Sequence, residues 1–159
     1  MQHGRWRWER YCRPMPRATF THQAVANAPV EAVWSSLQDA DTWANIGPVE
    51  DVSDPELDET GHLESFRWST TVAMKRYLGS AEVTEMEPGE RMTLELDARE
   101  VTGSLQAQLE PNGNDTTIVT ITLEVVSRGT LSTLFFPVVS ETVAKGLPAQ
   151  VEQFAEGLG

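Results

Sequence analysis

The sequence predicts an α+β domain in which a curved antiparallel sheet of about seven strands wraps around one long C-terminal helix. Three observations carry this. Apolar residues alternate with a period of two through most of 66–125. A stripe of apolar residues spaced by three and four runs from about 130 to the end. Between the first strand-like run and the rest lie two short helix patterns with clear start and stop signals.

Residues 18–27 open the domain. They are rich in threonine, with Phe20, His22, Ala24 and Ala26 on one side of a strand. Pro29 at the first helical position and Glu31 in the first turn then signal a helix. Its apolar face is Val30, Val33, Trp34 and Leu37. Asp39 and Asp41 suit the cap of a second short helix holding Trp43 and Ile46, closed by Gly47 and Pro48.

After that the period changes to two. Phe66, Trp68, Thr70, Val72 and Met74 share one face of a strand. Glu82 to Thr84 belong to another, and Pro88-Gly89 is a turn. Met92, Leu94, Leu96 and Ala98 alternate with Thr93, Glu95 and Asp97, as a half-buried strand requires. Val101 to Leu109 make the next strand, residues 111–115 a hairpin loop, and Thr117 to Val125 the last.

The final pattern places Leu131, Phe135, Val139, Val143, Leu147, Val151 and Phe154 along one helix. Pro137 and Pro148 each delete a backbone hydrogen bond, so the helix is expected to bend or break, with its main segment after Pro137. This order of elements is that of a helix-grip fold.

Size and charge narrow the function. At 159 residues the chain is the length of one domain, and 40% hydrophobic with 23% charged residues is a globular composition. No run approaches the roughly 20 apolar residues of a membrane span, and no apolar stretch follows the basic start as in a secretion signal. Cys12 is the lone cysteine, which excludes an internal disulfide and a cysteine metal cluster and suits the cytoplasm.

The net charge of −12 is uneven: residues 1–17 carry +4, leaving −16 on the remainder. An acidic body repels nucleic acid and anionic membranes. The arm 1–17, with Trp6, Trp8 and Tyr11 among its arginines, reads as a disordered extension before a domain at 18–159. Contact with nucleic acid or lipid is its other reading, and Met15 is an alternative start.

The run from Phe20 to Trp43, with Ala-Pro-x-x-x-Val-Trp at 28–34 and Asp-x-x-x-Trp at 39–43, resembles the opening of SRPBCC (START-related) proteins. The stretch from Gly79 to Leu94 resembles that superfamily's strand–turn–strand. Within it the chain is most similar to two groups, the polyketide cyclase/dehydrase-like proteins and those like the G protein of carbon monoxide dehydrogenase. The resemblance covers about 18–157. It implies a helix grip around a hydrophobic cavity but no particular reaction.

Motifs with a strong catalytic mechanism are missing. His22 is the one histidine on an inward strand face, where it suits a general base or a structural role, and no carboxylate partner is apparent in sequence. No catalytic residue, metal site or cofactor is therefore assigned. The acidic run Asp51, Asp54, Glu56, Asp58 and Glu59 lacks calcium-loop spacing and reads as a solvated loop.

The expected cavity wall is Trp34, Trp43, Phe66, Trp68, Val72, Met74, Met92, Leu94, Leu105, Phe135, Val139 and Val143, with ordinary core packing as the alternative for its aromatics. Lys75, Arg76 and Tyr77 are placed at its mouth, or on a charged strand edge. The expected partner is a hydrophobic small molecule; a protein partner is a further possibility. A cyclase acting on a polyketide-like substrate is the competing reading, and a protein-interaction module the third.

Overall fold

In a computed structural model, described for residues 17–44, 46, 49–72, 74–98, 101–127 and 146–157, the strand periodicity resolves into a seven-stranded antiparallel sheet. The strands are β1 (Arg17–Ala26), β2 (Asp51–Leu57), β3 (Leu63–Val72), β4 (Lys75–Glu87), β5 (Arg91–Ala98), β6 (Val101–Pro111) and β7 (Thr117–Ser127). Their spatial order is β1-β7-β6-β5-β4-β3-β2, a meander from β2 to β7 whose last strand pairs with the first. Between β1 and β2 lie α1 (Val30–Leu37) and a single 3₁₀ turn (Ala40–Trp43). Residues 146–157 are helical. The result is an α+β helix-grip fold: a curved sheet, two short helices after strand 1 and a C-terminal helix.

Local chemistry accounts for the joints. Pro29 is the residue before α1 and not its first, with an extended backbone (ψ 161°) and no side-chain cap. Proline fits there because its φ of −70° is compatible with either place and its carbonyl still accepts from Ala32 and Val33. Asp39 caps the 3₁₀ turn by accepting from the Asp41 N–H at 3.0 Å, while Ile46 lies beyond its last residue. Trp43 is fully buried and donates its indole N–H to the Leu37 carbonyl at 3.0 Å, which locks the turn against the end of α1. Gly89 has φ +75° behind Pro88, and the Glu90 N–H returns to the Glu87 carbonyl, as in a type II turn.

Two expectations change. The acidic run is not all loop: Asp51–Leu57 is edge strand β2, paired with β3. It shows no alternation because both faces are open, with Val52 alone half-buried, and a register shift between Ser53 and Glu56 interrupts it at Asp54 (φ +50°). Met74 is not in β3. Val72 pairs with Lys75, leaving Met74 in the tight connection with φ +68° and its side chain fully exposed. The bend expected at Pro137 lies outside the described residues; Pro148 lies within the helical stretch.

The core fills the concave face. Ala24, Ala26, Val119, Ile121, Leu123, Leu105, Ala107, Met92, Leu94 and Leu96 pack with Val33, Leu37 and Trp43 of the short helices and with Leu147, Val151 and Ala155 of the C-terminal helix.

Candidate functional site

Paired residues in adjacent strands share a face, so the register lays the concave surface out in rows. One row runs Met86, Met92, Ala107, Ile121 to His22. The next runs Val83, Leu94, Leu105, Leu123 to Phe20. Further along lie Phe66 opposite Ala81 and Trp68 opposite Gly79. Beyond Trp68 the surface turns polar. Thr70 pairs with Tyr77, both are buried, and the Thr70 hydroxyl donates to the Glu50 carboxylate at 3.2 Å.

Trp68 is held in one pose. Its indole N–H donates to the Ser80 carbonyl at 2.8 Å, and its ring lies over the backbone of Gly79. A Cβ at Gly79 would stand 2.6 Å from the ring, so this glycine is what allows the tryptophan its seat.

The sequence-selected residues separate into groups. Phe66, Trp68, Met92, Leu94 and Leu105 share the concave face. Met92, Leu94 and Leu105 have no exposed surface, so they border no space that a water molecule enters. Trp43 is closed against Leu37. Trp34 is half-buried on α1, edge-on to His62 with ring centres 6.5 Å apart. From His62 to Trp68 is about 20 Å along the strand, so Trp34 and Trp68 do not meet. Met74 points to solvent and joins neither group. Val72 lies in β3 with its side chain outside the described residues, and Phe135, Val139 and Val143 lie outside them altogether.

The Lys75–Tyr77 cluster also divides. Tyr77 faces the core, whereas Arg76 lies on the outer face with its guanidinium 3.4 Å from the Ser69 hydroxyl. Glu50 is invisible to sequence reasoning. It precedes β2 and carries no periodic signal, and only the fold brings it to Thr70.

His22 does have a carboxylate partner: its Nε2 lies 3.2 Å from Glu152 Oε1 on the C-terminal helix, with side chains 30% and 53% exposed. At 130 residues' separation, no sequence spacing signals that contact. A compact cluster ends the β2–β3 hairpin. Asp58 accepts from the Thr60 hydroxyl at 2.6 Å, the Thr60 N–H at 2.8 Å and the His62 N–H at 3.0 Å. These bonds, the Thr60 hydroxyl foremost, hold the Asp58 carboxyl below its ordinary value of 3.8.

A groove of about 1150 Å³ lies elsewhere, on the outer face of β2–β5. Ser53, Ser65, Ser69 and Ser80 leave its floor low, and carboxylates and two arginines, Arg67 and Arg76, line it. Among the described residues no group of three or more potential ligands is placed to hold a metal ion, and no helix is long and apolar enough to cross a membrane.

A curved antiparallel sheet gripping a C-terminal helix, with an apolar concave face, defines the helix-grip class. The sequence matches one family of that class over residues 17–159, and the chain belongs to it: the polyketide cyclase/dehydrase and lipid transport family. No curated protein matches the chain in sequence.

Among solved structures the chain is similar to the Zhui aromatase/cyclase from Streptomyces sp. R1128, at 18% identity and a TM-score of 0.65, over 86% of this chain and 92% of that one. It is similar to a START superfamily protein from Mycobacterium smegmatis at 16% identity and a TM-score of 0.60, over 85% and 97%. It also matches norcoclaurine synthase from Thalictrum flavum at 13% identity and a TM-score of 0.59, over 91% and 87%. At these identities the likeness is one of fold.

Proposed function

We propose that the chain binds one hydrophobic or amphipathic small molecule, lipid or polyketide-like, between its concave sheet face and the C-terminal helix. The observation that carries this is the polar end of an otherwise apolar surface. Buried Thr70 and Tyr77, with Glu50 behind them, adjoin Trp68 and Phe66, so an apolar body is covered by the sheet while one polar group is met by hydroxyls. A sheet of seven strands is about 29 Å wide and one helix about 10 Å, which leaves room beside the helix for a guest. Burying about 300 Å² of apolar ligand surface supplies several kcal/mol before association costs.

Trp68, Phe66 and Leu94 on the sheet, with Val72, Phe135, Val139 and Val143, are the proposed contacts. The family's description, which includes lipid transport, supports the reading. We place the binding domain at 18–159 and the protein in the cytoplasm.

Catalysis of the cyclase type is the second reading. It is supported by the family's description, by the aromatase/cyclase among the structural neighbours and by the His22–Glu152 pair, in which a carboxylate can orient an imidazole. The exposure of that pair is why binding ranks first.

Native mass spectrometry of freshly purified protein, followed by organic extraction, tests the proposal. A defined compound at near one per chain, lost in Trp68→Ala, supports it. A clean apo mass, with no thermal shift against lipid and aromatic polyketide panels, removes it in favour of a packed-core interaction module. If a ligand is found, turnover abolished in Tyr77→Phe or His22→Gln with binding retained selects the enzyme.

A further inference from the structure

The outer face of the sheet is an unpartnered surface with a groove in it and a pronounced charge. Six carboxylates line the groove against two arginines. One arginine, Arg67, is only loosely paired, its Nε 3.9 Å from Asp54 with both side chains 75% exposed. Beside the floor, Glu82 stands directly opposite Glu95 on the neighbouring strand. Like charges in that position destabilise a sheet, so the lane costs free energy unless something cationic lies over it. Leu78, 66% exposed, adds an apolar wall.

The same chain holds a segment of complementary character. Residues 1–16 carry Arg5, Arg7, Arg10 and Arg13 against Glu9, with Trp6, Trp8 and Tyr11 among them. The register shows where this segment leaves the domain. Following paired residues across the sheet from Arg17, the row passes through Val126 and Thr102 to Asp97, Ser80 and Arg67. The last three line the groove. Paired positions lie on one face, so the arm departs from the row that forms the groove floor. Four strand spacings separate Arg17 from Ser80, about 19 Å, whereas sixteen extended residues reach about 50 Å.

We propose that residues 1–16 fold back across the outer face of β5 and β4 and occupy this groove in cis, with arginines over the carboxylate lane and aromatic rings against Leu78.

Cys12, the lone cysteine, lies in the arm and allows the full-length protein to be tested. A nitroxide on Cys12 is expected to erase most of the amide signal intensity of Ser65, Arg67, Ser80 and Glu82 in about 0.01 M salt. Recovery is expected toward about 1 M, as the screening length falls from roughly 30 Å to roughly 3 Å. Glu82→Lys with Glu95→Lys is expected to restore the same signals at low salt. Because reversal can disturb the sheet, Glu82→Gln with Glu95→Gln, checked for native amide dispersion, serves as the milder pair, and the salt series on the unchanged sequence stands alone. Broadening confined to β1 and its neighbours, or unchanged by salt, overturns the proposal. Broadening of an isotope-labelled copy by a separate spin-labelled copy overturns it too, since the groove then takes a second chain.

Discussion

Gly79→Ala isolates the seat of Trp68. The new Cβ stands 2.6 Å from Cε2 and Cζ2 of the indole and 2.7 Å from the Asp97 carbonyl oxygen. Carbon atoms in contact prefer about 3.5–4.0 Å, so the neighbours must retreat by about 1 Å. Neither is free to do so, since the indole is tied to the Ser80 carbonyl and Asp97 belongs to the β4–β5 ladder. Overpacking of this kind costs about 1–3 kcal/mol. Alanine also lowers the entropy of the unfolded chain, an opposing effect of about 0.4–1 kcal/mol.

A net loss of about 0.5–2.5 kcal/mol is therefore expected, read by urea unfolding with tryptophan emission. At roughly 2–4 °C per kcal/mol for a chain of this size, the midpoint should fall by about 1–10 °C. In the double variant with Trp68→Leu, the two losses should sum to more than the measured total, because the ring the methyl meets is gone while the Asp97 contact remains. A neutral or stabilising Gly79→Ala, or strict additivity with Trp68→Leu, would refute the seat.

Three other perturbations probe different joints. Gln38→Ala removes the side-chain oxygen that accepts the Leu63 N–H at 3.0 Å and should cost about 1–3 kcal/mol in chemical denaturation, with faster hydrogen exchange at Leu63. Asp39→Ala strips the cap of the 3₁₀ turn and should cost about 1 kcal/mol, a loss largely recovered by Asp39→Ser. Asp58 titrates below 3.8 in the folded state, so its stabilisation is fully present above that value and is lost as pH falls through the depressed one. A carboxyl-carbon titration should place its midpoint below 3.8, and Thr60→Val should raise it.

The sheet is readable where one side of a strand is wet and the other dry. β5 alternates buried with half-buried or exposed residues along its whole length, and the sequence shows the same alternation. β2 is not readable, because an edge strand with both faces open has no reason to alternate. β4, thirteen residues long, shows only its middle, since Gly79 and Ser80 interrupt the pattern to accommodate Trp68. The apolar wall is legible as composition: Phe66, Trp68, Met92, Leu94 and Leu105 share the concave face. What composition does not carry is separation, and Trp34 lies far from Trp68 because they sit at opposite ends of β3. Glu50 and Glu152 reach Thr70 and His22 only through long-range folding, so local pattern holds no trace of either contact.

The pairing of the first strand with the last has a consequence in time. β1 meets β7 through ten consecutive residue pairs, from Arg17 with Val126 to Ala26 with Thr117, partners roughly a hundred residues apart. A ribosome adding about 5–20 residues per second leaves β1 waiting some 5–20 s for its mate. During that interval the strand stands alone, and its alternation of threonine and glutamine with small apolar residues keeps it soluble. The meander β2–β7 forms from neighbours, so closure by β1 is the late, slow step of assembly, and a stalled or truncated product lacking β7 is a sheet with its first strand left over.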